Sequence, residues 1–125
     1  MDESPVSPSS HERGVATVWA VTWMTACAAI ATIVAAVGVA TARQHEIDAA
    51  ADLAALAGAS AIQHGGEACA AAAATAASNN SELHSCEING DEIEITANGR
   101  VYLLGLKFRL TSRARAGPTS GGLKN

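Results

Sequence analysis

The chain reads as an α+β membrane protein with a long N-terminal transmembrane helix extended into an extracytoplasmic helix. A short second helix and a small three-stranded antiparallel sheet follow. Three observations predict this. The run from Gly14 to Ala42 contains no charged residue. Small apolar residues then keep a helical spacing as far as Gln63. From Ser85 onward apolar residues recur at every second position, with Asn98-Gly99 as a turn signal.

Residues 1–13 (MDESPVSPSSHER) are rich in Ser, Pro and charge and lack periodicity, which predicts a disordered leader. The run that follows, GVATVWAVTWMTACAAIATIVAAVGVATA, lies between Arg13 and Arg43. A bilayer core is spanned by roughly 20 mostly apolar helical residues, and a lone apolar segment satisfies its backbone in lipid only as a helix. A cleaved secretory signal is the competing reading. Such signals carry a basic start and an apolar stretch of about 7–15 residues. This leader sets one Arg against Asp2, Glu3 and Glu12, and its apolar run is too long. The segment 14–42 therefore reads as a retained membrane helix. One Arg on each flank leaves the positive-inside rule without a preference. Ala16, Ala20 and Ala28 allow close approach of a neighbouring helix, with Trp19 and Trp23 as further packing positions. Cys27, within the run, reads as a small apolar side chain facing lipid or another helix.

Beyond Ala42, residues Ile47, Ala51, Ala54, Gly58 and Ala61 share one helical face, while Asp48 and Asp52 lie on another. Helix formers dominate and no Pro intervenes, so an extension over 43–63 is predicted. A continuous helix from Val15 to Gln63 would be roughly 73 Å long. Gly65-Gly66 then breaks it. The remaining head, 64–114, opens with a second helix over Glu67–Ala77 that Ser78-Asn79-Asn80 ends.

Three strands are predicted: Ser85–Asn89, Glu92–Ala97 and Arg100–Thr111. A turn at Asn98-Gly99 would pair Ile95 with Tyr102 and Ile93 with Leu104. Leu106, Phe108 and Leu110 would continue the apolar face, with Lys107 and Arg109 opposite. For the first hairpin, a turn at Asn89-Gly90 would set Ile88 against Asp91. A turn at Gly90-Asp91 sets Ile88 against Ile93 and Cys86 against Ile95. The second is preferred because it buries one apolar face, although it opposes Glu87 to Glu94. The tail 115–125 is flexible by composition, and the basic residues Lys107, Arg109, Arg113 and Arg115 read as the solvated guard of an edge strand, with a contact to anionic lipid headgroups or wall polymer as the alternative.

With anchor and tails subtracted, about 75 residues remain, few for an independent core. They hold the chain's one Tyr and one Phe, and large side chains are scarce. A module of this kind needs a staple or a partner. Cys69 in the second helix and Cys86 on the apolar face of the first strand supply one candidate staple. A bridge would close a loop of about 17 residues, worth roughly 3 kcal/mol in the chain-entropy picture, and would place the head in an oxidising, extracytoplasmic space. Two separate buried thiols are the alternative.

The net charge of -4 argues against a nucleic-acid partner. His11, His45, His64 and His84 are scattered, and Cys69, His84 and Cys86 lack the tight spacing of a metal site. Asp48 and Asp52 read as a solvated face or a contact for a cationic partner rather than an acid–base pair. Phosphate loops, nucleophile elbows and zinc helices are missing from the sequence. The reading is a non-enzymatic chain with no cofactor, metal or small-molecule substrate, whose first partner is the lipid bilayer.

The junction Arg13-Gly14-Val15-Ala16-Thr17-Val18 entering an apolar helix resembles the start of TadE and TadG-like pseudopilins of tight-adherence (Flp) pilus assembly. The stretch Ala49-Ala50-Ala51-Asp52-Leu53-Ala54-Ala55-Leu56-Ala57 resembles them too, as does the pair Cys69 and Cys86 followed by short strands. The layout is similar to that of small actinobacterial TadE-like proteins of helicase and secretion gene neighbourhoods. The resemblance covers residues 12–117. It implies cleavage by a prepilin peptidase after Gly14, with Val15 as the new N-terminus, and assembly with other pilin-like or secretion-system membrane proteins. The family's usual Glu, five residues after the cut, corresponds to Trp19 here. A buried carboxylate in a membrane helix marks a pairing, and Trp19 cannot make it. The resemblance therefore implies a minor or accessory subunit. A stable, uncleaved single-pass anchor whose outer domain binds another envelope protein is the alternative.

Overall fold

The computed structural model describes Pro5 and residues 10–118, without the side chains of residues 10–13. Five elements follow in chain order: α1 (Ser10–Gln63), α2 (Ala68–Ser78), β1 (Glu82–Asn89), β2 (Glu92–Leu103) and β3 (Leu106–Ala116). The fold is α+β, with an antiparallel sheet in the order β1-β2-β3. The chain divides into two units between Val37 and Gly38. Most of the predicted leader 1–13 lies outside the described residues, but Ser10–Arg13 already belong to α1. The predicted tail 115–125 gives its first two residues to β3, and residues 119–125 lie outside the described ones.

In the first unit, α1 presents an apolar surface that the chain itself does not cover. Every described side chain from Gly14 to Ala35 is exposed. None of the most apolar stretch is buried, and the helix is long and apolar enough to cross a membrane.

In the second unit, the rest of α1 and all of α2 cover one face of the sheet. Ala51, Ala54, Ala55 and Ala59 of α1 meet Ala68, Ala72 and Ala76 of α2 over Ile93, Ile95 and Ala97 of β2. The helical extension over 43–63, which the sequence sets apart from the head, thus shares one core with it. The large fully buried side chains are Ile47, Ile93 and Ile95; alanine fills the remainder. Small residues let the layers approach closely. A β-carbon on Gly58 would lie 2.5 Å from Ile93 Cδ1 and 3.2 Å from the Ala68 carbonyl oxygen.

The helix ends follow their local chemistry. Gly65 adopts φ 71°, Gly66 N–H donates to the Ala61 carbonyl and Gly65 N–H to that of Ile62. This double closure is the Schellman arrangement. Asn80 (φ 55°) repeats it after α2, where Ser81 N–H donates to Ala76 and Asn80 N–H to Ala77. Observed α2 is one residue later than the predicted Glu67–Ala77, with Glu67 at its N-cap position.

The first hairpin has the predicted register: Ile88 faces Ile93, Glu87 faces Glu94 and Cys86 faces Ile95. Gly90 takes φ 65°, the sign that a II′ loop asks of its first residue. β1 begins at Glu82, earlier than the predicted Ser85, with an irregularity between Leu83 and Ser85.

The second hairpin differs from the prediction. β2 runs straight through Asn98-Gly99 to Leu103, and the turn is Leu104-Gly105. Ile95 therefore faces Ala114 and Ile93 faces Ala116, not Tyr102 and Leu104. β3 is Leu106–Ala116 in place of Arg100–Thr111. Packing overrides turn propensity here. A β-carbon on Gly99 would lie 2.2 Å from Ile47 Cδ1, so this glycine admits a core isoleucine against the strand. Asn98 accepts from Thr111 Oγ1 at 3.0 Å across the ladder. Leu104 (φ 51°) and Gly105 (φ 78°) supply the two positive φ values of a I′ loop.

Candidate functional site

Three features bear on function: the staple in the second unit, the uncovered surface of α1 in the first, and the far half of the β2–β3 hairpin. A Cys69–Cys86 disulfide joins α2 to β1, with the Cα atoms 5.9 Å apart. It ties α2 to β1, an edge strand of the sheet. Ile88 on β1 is half exposed.

The predicted packing positions Ala16, Trp19, Ala20, Trp23 and Ala28 all lie on the exposed surface of α1, as do Gly14 and Val15. Cys27 is a free, exposed thiol. Hydroxyls in this apolar stretch are satisfied within the helix itself. Thr22 Oγ1 donates to the Val18 carbonyl at 2.8 Å, Thr25 Oγ1 to Val21 at 2.8 Å and Thr32 Oγ1 to Ala29 at 2.7 Å. Those hydroxyls then need no water, as a lipid environment requires.

The outer face of β2–β3 sorts its charges along its length. Near the covered core, Arg115 pairs with Glu94 and Glu92, and Arg113 lies 3.5 Å from Glu94. The Arg115 guanidinium beside Glu94 holds its carboxyl below the ordinary 4.5. Asp48 of α1 is also held below its ordinary 3.8, first by the Ser112 hydroxyl of β3 and then by the Gln44 amide at 2.8 Å. Asp48 is half-buried and Asp52 exposed.

Toward the turn, Arg100 faces Arg109 and Tyr102 faces Lys107. Arg100 reaches Glu82 at 3.5 Å. Among the described residues Arg109 and Lys107 have no carboxylate partner. β1 stops pairing at Glu82 opposite Asn98, so β2 has a free edge from Gly99 onward. Arg43 of α1 closes part of it. Its Nε donates to the Arg100 carbonyl at 3.3 Å and its Nη2 to that of Asn80 at 3.4 Å, while it pairs with Glu46. Arg43, Glu82, Arg100, Tyr102 and Arg109 line an open cleft of about 360 Å³ there.

On the inner face, Leu106, Phe108 and Leu110 continue the apolar side as predicted, opposite Leu103, Val101 and Gly99. Leu106 is 62% and Phe108 46% exposed, while Val101 opposite Phe108 is buried. Sequence reasoning placed Lys107, Arg109, Arg113 and Arg115 in one solvated guard; the structure divides them into a paired and an unpaired half. The signal for the tip was Leu104-Gly105 between apolar neighbours, masked by the stronger Asn98-Gly99. Among the described residues no group of three or more His, Cys, Asp or Glu converges as a metal would need.

No family model, curated protein or solved structure matches this chain.

Proposed function

We propose that the chain is a non-enzymatic, membrane-anchored subunit of the TadE-like kind, an accessory pseudopilin of a tight-adherence pilus or related secretion apparatus. It inserts through residues 14–42, assembles through that helix and holds its stapled α+β head outside the cytoplasm. The observation that carries this reading is the exposed apolar surface of α1, which the remainder of the chain leaves bare and which holds no charge. In water such a surface is a large liability; against lipid and neighbouring helices it is the favoured state. The Cys69–Cys86 bridge supports an oxidising compartment for the head. The Gly14-Val15 junction supports a processing site for a prepilin peptidase.

One residue favours a second reading. Trp19 occupies the place of the carboxylate with which pilin-like helices pair, which suits an uncleaved single-pass anchor whose head recruits another envelope protein. Intact mass and N-terminal sequencing of the protein from native membranes separate the two. A chain beginning at Val15, co-purifying with pilin-like partners, is the expected result. A chain still carrying its leader removes the pseudopilin reading and leaves the anchor.

A further inference from the structure

We propose that the tip of the β2–β3 hairpin is a second, peripheral contact with an anionic phospholipid surface. The inference rests on the membrane-anchor reading and adds a site to it. Tyr102, Leu104, Leu106 and Phe108 enter the bilayer interface, and Arg100, Lys107 and Arg109 bind headgroup phosphates.

Four observations carry it. Leu104 is 93% exposed at the very turn, and Tyr102 and Leu106 are 66% and 62% exposed. Leu104 also holds φ 51°, a conformation for which Asn, Asp or Gly is the ordinary occupant. A large aliphatic residue thus stands at a strained, water-facing position that a polar residue would fill with less strain. Residues held so are candidates for function.

Charge supplies the third observation. Arg100 and Arg109 lie directly across the ladder from one another, and among the described residues only Arg100 of the two has a carboxylate partner, Glu82 at 3.5 Å. Lys107 beside Tyr102 is a third cation. A phosphate group would take charge-assisted hydrogen bonds from this set. The layering fits a membrane interface better than an acidic protein. Leucine stands foremost, the tyrosine–lysine pair comes about 7 Å behind it, and the arginine pair about 13 Å behind, at the strand rise of about 3.3 Å per residue. Interfacial segments bury their apolar part about 5–10 Å deep, with aromatic and basic groups at headgroup level.

Position is the fourth. Val39, Ala42 and Arg43 line a common surface hollow with Arg100, Val101 and Tyr102. The hairpin therefore runs beside the first turns of this unit, and Val39 and Ala42 belong to the charge-free run itself. The opposite loop, Gly90-Asp91, lies at the other end of β2 and carries no apolar side chain.

The test uses the full chain, disulfide intact, in nanodiscs of phosphatidylcholine with and without phosphatidylglycerol. A nitroxide is attached in turn to the native Cys27, and to Leu104→Cys and Asp91→Cys in a Cys27→Ala background. Accessibility to oxygen, which partitions into lipid, is compared with that to an aqueous nickel chelate. The proposal expects lipid-type accessibility at Cys27 and Leu104 and aqueous accessibility at Asp91. It also expects Arg109→Gln to lower the immersed population of the tip about fivefold in the anionic discs, at the worth of one interfacial cation. Lipid-type Cys27 with aqueous Leu104 would overturn the tip contact and leave the anchor standing. Aqueous Cys27 would overturn both. A Leu104 label shielded from both agents and broadened by its neighbours would show a tip buried against a second copy, and would overturn the lipid assignment.

Discussion

Between Ile93 and Gly99, β2 lays its inward side chains against alanines of α1 and α2, and its outward Glu94 is matched by Arg115. Between Arg100 and Leu103 the same strand, with the same partner, keeps an apolar inner face on which Val101 is still buried, while Phe108 and Leu106 opposite are exposed. Its outer face exchanges an ion pair for two opposed arginines. Pairing with β3 is continuous across both halves, although β1 pairs only as far as Asn98, so the β2–β3 ladder does not explain the contrast. Cover does. Under α1 and α2 together, apolar area is removed from water and charges are matched; toward the turn Val101 is still buried, but Tyr102, Leu104, Leu106 and Phe108 face outward beside Lys107 and Arg109. One half is closed, and the other leaves large apolar and basic side chains exposed.

The largest test of this contrast is a truncation in each half, followed by unfolding of the full chain in detergent. Ile95→Ala is expected to lower head stability by about 3 kcal/mol, through lost burial and the cavity left behind. Leu106→Ala at the tip is expected to change it by less than about 0.5 kcal/mol. Equal losses would mean that the tip belongs to the core. Opening the staple with Cys69→Ser and Cys86→Ser together is expected to cost about 3 kcal/mol, read as greater urea sensitivity without reductant.

A smaller effect is expected at Gly99, where the strand passes from the covered to the uncovered half. Gly99→Val must displace Ile47, and overpacking of this kind costs about 2 kcal/mol. If Asn98-Gly99 were only a turn, the same change would leave Ile47 undisturbed, which side-chain NMR of its methyl groups would reveal. At the tip the sign reverses. Leu104→Gly is expected to raise head stability by about 1 kcal/mol by releasing the left-handed strain, while weakening the lipid contact.

The last prediction concerns pH. Asp48 and Glu94 both titrate below their ordinary 3.8 and 4.5 in the folded head. The unfolded chain therefore takes up protons first as pH falls. The stability they contribute is fully present above their unfolded values and is lost as pH drops through the lower, folded ones. Glu94→Gln is expected to flatten the acid limb of a stability profile measured between neutral pH and pH 3. An unchanged limb would mean that the Arg115 pair does not contribute.

Local chemistry made much of this protein legible from its residues. The charge-free run, the helix ends at Gly65 and Asn80 and the Gly90-Asp91 loop depend on neighbours within a few positions, and each was predicted. The face of α1 carrying Ile47, Ala51, Ala54 and Gly58 followed from periodicity alone. So did the register that set Cys86 against Ile95, because one slip would have turned the apolar side of β1 outward. The second hairpin was decided elsewhere. Asn98-Gly99 has the stronger turn chemistry, but turn preference is worth little against burying Ile47 on the strand. Only the approach of a helix some fifty residues earlier in the chain settles which pressure wins. Cover is likewise a tertiary property. Leu106 and Phe108 have the same alternation as Ile93 and Ile95, and nothing local tells them apart. Ile93 and Ile95 lie under α1 and α2 together while Leu106 and Phe108 stay exposed, and that difference separates the core of this protein from its exposed edge.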